Sequence, residues 1–228
     1  MSCGLLGTLL LLLPGGASAV GGWFQENPGE LWVSPGKTVE LSCCVPDSSR
    51  SVNWYKEKPD GSLYWIYWSS GSSRPVGKYT GGMKAGRKAE QCFSLIISPA
   101  QREDSGVYYC SSRNFYHLFG KGTRLVVTDA TEPQLSILVP TDAQEPGQPP
   151  AQIPLLCHLH DLPPGWDTVH WQPGGEEAPV VAAAVDEHGV LSAWSITWVS
   201  AEQWDGAAGC TALQSADHPA LQTASGQR

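Results

Sequence analysis

Six cysteines, Cys43, Cys44, Cys92, Cys110, Cys157 and Cys210, are the groups best equipped for covalent chemistry in this 228-residue sequence; a seventh, Cys3, stands in an apolar leader. Thiols in this number either hold zinc or close disulfides. Zinc needs ligand pairs closely spaced within one domain, whereas the adjacent Cys43 and Cys44 stand far along the chain from His158 and His160. An even six in an oxidising compartment reads instead as three disulfides. The stretch from Gly81 through Gly82, Met83, Lys84, Ala85 and Gly86 to Arg87 and Lys88 has the glycines of a phosphate loop. Arg87 and Lys88, however, take the places of the required Lys and Ser/Thr, and no helix follows. It reads as a basic hairpin loop. No nucleophile elbow, zincin helix or pair of catalytic carboxylates is present, so no enzyme, metal or cofactor is expected.

Secretion is what licenses the disulfide reading. Residues 5–13 form a short apolar run, Pro14, Gly15 and Gly16 break it, and Ala17-Ser18-Ala19 supplies a cleavage pattern, so residues 1–19 read as a signal peptide. No later run reaches the ~18 apolar residues of a membrane span. Cutting the remainder after Thr128 exposes a charge asymmetry. Residues 20–128 carry 13 Lys+Arg against 9 Asp+Glu, while residues 129–228 carry Arg228 alone against 13 acidic residues. Two domains of opposite sign follow. A half with no lysine lacks the cations that phosphate-backbone binding requires, so nucleic acid is a poor candidate partner.

The elements that must position these thiols are strands. Cys43 and Cys110 stand 67 residues apart and Cys157 and Cys210 stand 53 apart, each pair enclosing a Trp, Trp54 or Trp171, eleven or fourteen residues after its first Cys. That is the signature of a two-sheet sandwich stapled across its core beside an indole, and it occurs once per half. Val39, Leu41 and Cys43 alternate, as do Phe93, Leu95 and Ile97, with period two. Tyr108, two residues before Cys110, is placed to bond a nearby backbone group. The fold class is all-β.

These residues carry a resemblance. Leu41-Ser42-Cys43, Trp54-Tyr55-Lys56, the run from Asp104 through Ser105, Gly106, Val107, Tyr108 and Tyr109 to Cys110, and the run from Phe119 through Gly120, Lys121, Gly122 and Thr123 to Arg124 make residues 20–128 resemble a V-type immunoglobulin domain with its joining segment. The Phe-Gly-x-Gly motif and the stretch from Phe93 to Pro99 look closest to T-cell receptor delta-like chains. Residues 133–228 resemble a constant-type domain, similar to that of immunoglobulin light chains, through the run from Leu155 to Asp161, Val169-His170-Trp171, and Ser200 to Trp204. Residues 129–132 form the elbow between them. Ala208 stands where a tyrosine corner would be, a departure from the constant-type pattern.

The resemblance implies two working surfaces. Loops at one end of a V-type domain bind ligands, which here points to Arg50, Trp68, Arg113, Asn114, Phe115, Tyr116 and His117; the alternative for the third loop is that it folds over its neighbours. The matching partner face carries Tyr55, Glu57, Leu63, Tyr109 and Phe119. Glu57 replaces the usual Gln, so a partner with Lys, Arg or Gln opposite is expected. In the constant-type half, Trp194, Ile196 and Trp198 share one face of a strand beside Leu156 and His158, either as a partner surface or, with the register shifted by one, in the core. Adjacent strands in this fold bring the outward Cys44 and Cys92 together as a third disulfide; free thiols or a link to another chain are the alternatives.

The whole implies a secreted subunit of an antigen-receptor-like heterodimer, paired non-covalently with a second immunoglobulin-superfamily chain and recognising a protein or peptide antigen. A surrogate-type escort that pairs without touching antigen, or a soluble decoy binder, are the other readings.

Overall fold

The computed structural model describes residues 25–26, 29–46, 49–86, 90–112, 118–139, 152–172, 177–200, 207–214 and 221–227. The leader, residues 113–117 of the third loop (Ser111 to Leu118) and the run from Ala201 to Trp204 lie outside these residues. The architecture is two tandem immunoglobulin-like sandwiches, each of two sheets packed face to face.

In the first sandwich, one sheet orders β1 (Gln25–Glu26), β3 (Val39–Pro46), β7 (Glu90–Ile97) and β6 (Tyr79–Lys84). The other orders β2 (Glu30–Val33), β10 (Thr123–Val127), β8 (Gly106–Ser112), β4 (Ser51–Glu57) and β5 (Leu63–Ser70), with the short β9 (Leu118–Phe119) on β8. All pairs are antiparallel except β2 with β10, which run parallel. Alternation decides the faces: Val39, Leu41, Cys43 and Val45 on β3 meet Val52 and Trp54 on β4, with Phe93, Leu95 and Ile97 from β7. Cys43 and Cys110 close the core. The Trp54 indole donates to Ser69 Oγ at 3.0 Å, and the Tyr108 hydroxyl donates to the Asp104 carbonyl at 2.6 Å. A disulfide also joins Cys44 to Cys92, directly opposed neighbours on the outer face of β3 and β7 with Cα atoms 4.0 Å apart.

The second sandwich orders β11 (Gln134–Leu138), β12 (Gln152–His160), β16 (Leu191–Ser200) and β15 (Ala182–Val185) in one sheet, and β14 (Glu177–Pro179), β13 (Thr168–Gln172), β17 (Ala207–Leu213) and β18 (Leu221–Gln227) in the other. Leu155, Cys157 and Leu159 from β12 and Ala193 and Val199 from β16 pack on Trp171 and Trp166. The Cys157–Cys210 bridge crosses between the sheets. Cys157 pairs with Ser195, which is fully buried and accepts from the Trp171 indole at 3.3 Å. That pairing fixes the register of β16: odd-numbered residues from Leu191 to Val199 point inward and Trp194, Ile196 and Trp198 point outward.

The two sandwiches meet through a polar clamp. Arg102, in the turn before β8, donates to both carboxylate oxygens of Asp161 at 2.9 and 3.0 Å and to Asp129 at 2.5 Å, while Thr128 Oγ1 donates to Asp161 at 2.8 Å. Asp161 itself is held at φ 53°, in the left-handed region. Gly189, at φ 79°, packs so closely that an added Cβ would strike the Arg102 carbonyl oxygen. Trp32 and Val126 of the first sandwich extend the second core across the same seam. Replacing Arg102 by Met should therefore loosen the seam by about 1–2 kcal/mol, roughly a tenfold shift toward open forms. Cleavage after Asp129 or Glu132 by an acidic-residue protease should accelerate accordingly, with the unfolding midpoint of each sandwich unchanged.

Candidate functional site

The outer face of the β8–β4–β5 sheet is built by period-two alternation. Val52, Trp54 and Lys56 of β4 point inward, which sends Asn53, Tyr55 and Glu57 outward. Register then adds their neighbours: Tyr55 opposes Tyr109 on β8 and Trp65 on β5, Glu57 opposes Leu63, and Asn53 opposes Trp68. Phe119 joins from β9 and meets Tyr55 edge to face with ring centroids 5.4 Å apart. Tyr109 Oη donates to Glu57 Oε2 at 2.9 Å. Gly122, at φ 86°, leaves the room that Tyr109 needs; a Cβ there would sit 2.7 Å from its ring. Leu63, Trp65, Trp68 and Phe119 are all exposed, Trp65 to 52%. Together these side chains make an exposed aromatic face on the sheet.

Two residues of this region were not singled out from the sequence. Trp65 sits in the run from Leu63 to Trp68, which is almost entirely apolar and lacks alternation; a bulge between Trp54 and Tyr55 resets the pairing so that Trp65 and Trp68 both reach the outer face. Trp65 Nε1 donates to Asn53 Oδ1 at 3.1 Å. Lys56 is the other: it is buried on the inner face, donates to the Glu103 carbonyl at 2.6 Å and lies 5.7 Å from the Tyr108 ring centroid. Burial depresses its pKa, opposed by the charge of Asp104.

At the loop end, Arg50 is exposed, and a buried Ser49–Ser112 hydroxyl pair at 2.7 Å ties the first loop to the base of the third. Trp68, expected in the second loop, stands instead inside β5, because the strand continues through Ser69 and Ser70. It occupies the loop-proximal end of the aromatic face. A cleft of about 430 Å³ lies near the seam between the sandwiches, far from these loops, and its lining mixes Lys58 and Arg124 with Glu103 and Glu187. Among the described residues no group of three His, Cys, Asp or Glu is placed to hold a metal ion, and no helix is long and apolar enough to cross a membrane.

The second sandwich carries its own uncovered face, on β11, β12, β16 and β15. Leu138, Leu156 and Ile196 form one row across three strands, and Pro154 and Trp198 form the next. Trp198 is exposed to 57% and Leu138 to 54%. Trp194 stacks on His158 with ring centroids 5.3 Å apart, and His160 lies 5.9 Å from His158. No other titratable side chain faces outward from these four strands.

Burial and then His160 push the His158 pKa below the ordinary imidazole value. The folded chain thus favours neutral His158, and the unfolded chain takes up the proton first as pH falls. Stability linked to this group is present above the unfolded pKa of about 6.5 and lost as pH falls through it. Urea unfolding followed by Trp fluorescence should show a smaller loss between pH 7.5 and 5.5 for His158→Gln than for the native chain.

With this geometry in place, comparison with known proteins is informative. The Immunoglobulin V-set domain model matches residues 26–128. An Ig kappa chain V region from Rattus norvegicus is 37% identical over 103 residues, 44% of this chain and 92% of the relative. A T-cell receptor beta chain V region from Mus musculus is 34% identical over 93 residues, 40% of this chain and 78% of the relative. The T cell receptor alpha variable 22 of Homo sapiens is 31% identical over 109 residues, 47% of this chain and 96% of the relative.

Proposed function

This chain belongs to the immunoglobulin superfamily as an antigen-receptor-like V-type chain, and from that membership we propose that it is one subunit of a heterodimer that binds a protein or peptide ligand through the loops of its V-type domain. The observation that carries the reading is the pair of uncovered apolar sheet faces, one on each sandwich. Trp65, Phe119 and Leu63 on one and Trp198, Ile196 and Leu138 on the other would be aggregation liabilities in water. Association with a second two-domain chain covers both at once, and two linked contacts reinforce each other. The loop end is left for ligand, offering Arg50 and Trp68 and, by the resemblance, Arg113, Asn114, Phe115, Tyr116 and His117.

The signal peptide at residues 1–19 and the three disulfides fit an extracellular product, secreted or held at the cell surface by its partner. The V-type domain at 20–128, the elbow at 129–132 and the constant-type domain at 133–228 complete the proposed organisation. Co-expression in secretory cells with antigen-receptor chains of the same animal tests the reading. A 1:1 complex in the medium, held without an interchain disulfide, is expected with at least one of them; emergence as a monomer beside every such chain would contradict it.

A further inference from the structure

Glu57 is the anionic side chain of the V-type face, at the end of β4, and its surroundings restrict what can cover it. Its neighbours there are Tyr55, Tyr109 and Leu63, and the Tyr109 hydroxyl donates to its carboxylate. Among the described residues no ion pair to Glu57 is formed. Lys56 points into the core and donates to the Glu103 carbonyl. Lys58 lies 5.8 Å from the Tyr64 ring centroid and, with Glu57 and Arg124, lines the cleft near the seam. Arg124, two strands away, pairs with Glu30 at 3.6 Å. Covering the face removes water from a carboxylate that then needs a cation or strong donors.

We propose that Glu57 selects the partner: it prevents this face from pairing with a second copy of the same chain and favours a V-type chain that presents Arg or Lys opposite it. In a symmetric pair the same patch contributes twice, so self-association would bring two Glu57 carboxylates into one aromatic interface. A guanidinium or ammonium from a different chain would satisfy the outer carboxylate oxygen while Tyr109 keeps the inner one, giving a charge-assisted bond. Mismatched charge thus disfavours the wrong assembly as well as rewarding the right one. This rests on the reading of the face as a pairing surface.

Charge exchange on the full chain tests it. Native, Glu57→Gln and Glu57→Lys chains, all carrying Trp198→Ser to silence the constant-type face, are compared singly and in mixtures by analytical ultracentrifugation and native mass spectrometry. The mixture of the Glu57 and Lys-substituted chains is expected to form a heterodimer at least about tenfold tighter than either self-pair, weakening as salt is raised. The Glu57→Gln chain is expected to self-associate more than the native one. If the native chain self-associates as strongly as the mixture, and Trp65→Ser abolishes it, the face pairs but Glu57 does not select, and this inference alone falls. If no chain or mixture associates through the face, its reading as a pairing surface falls as well.

Discussion

Replacing Asp104 by Ala is expected to cost the V-type domain about 3–5 kcal/mol, enough to unfold a large share of a marginally stable sandwich at physiological temperature. The side chain is 3% exposed, its Oδ1 meets Lys78 Nζ at 2.5 Å, and its Oδ2 accepts the Gln101 backbone N–H at 2.8 Å. Its carbonyl receives the Tyr108 hydroxyl, so the turn it organises also anchors the last core tyrosine before Cys110. Removing the carboxylate strands a partly buried lysine and an uncapped N–H together. The Asp104→Asn substitution retains a hydrogen-bond acceptor, and the loss should be visibly smaller. Chemical denaturation of the two variants beside the native chain measures the difference; equal, small losses would mean that the ion pair is incidental.

The second large effect separates two tryptophans of the second sandwich. Trp171 is 2% exposed and packs in the core, so Trp171→Ala should destabilise the domain by about 3–5 kcal/mol. Trp198 lies outside on β16 beside Pro154, where its loss should alter the stability of the isolated chain by no more than about 0.5 kcal/mol. Association with a partner should instead weaken by about 2 kcal/mol or more, some thirtyfold, as befits a central aromatic anchor. Unfolding by Trp198→Ser would contradict the register of β16. Unchanged association would contradict the role of the face.

Much of this was legible in the residues, for a physical reason. Paired thiols enclosing an indole, together with strict alternation, leave few alternatives to a sandwich, because a one-residue slip would expose every core side chain. The alternation of Val39, Leu41 and Cys43 is enough to turn Cys44 outward, and that of Phe93, Leu95 and Ile97 does the same for Cys92. Trp194 and Trp198 were ambiguous because both faces of β16 offer plausible inward residues: the inward one includes Ser195, which looks polar yet is fully buried beneath the Trp171 indole. Only the pairing of Cys157 with Ser195 decides between them. Trp65 was hidden in a strand without alternation and repositioned by a bulge. The Arg102 clamp joins residues 59 apart in sequence, in different domains, and no local pattern announces such a contact.

The central claim, that both sheet faces are covered by one partner while the loop end stays free, is tested most directly by hydroxyl-radical footprinting of tryptophan oxidation. Trp65 and Trp198 report on the two faces and Trp68 on the margin nearest the loops. In the chain alone all three should be labelled readily, and Trp171 should not. In the co-secreted heterodimer, labelling of Trp65 and Trp198 should fall toward the level of Trp171, with Trp68 still reactive until ligand is added. Protection of Trp68 alone, or a heterodimer in which Trp65 and Trp198 remain as reactive as in the free chain, would contradict the account.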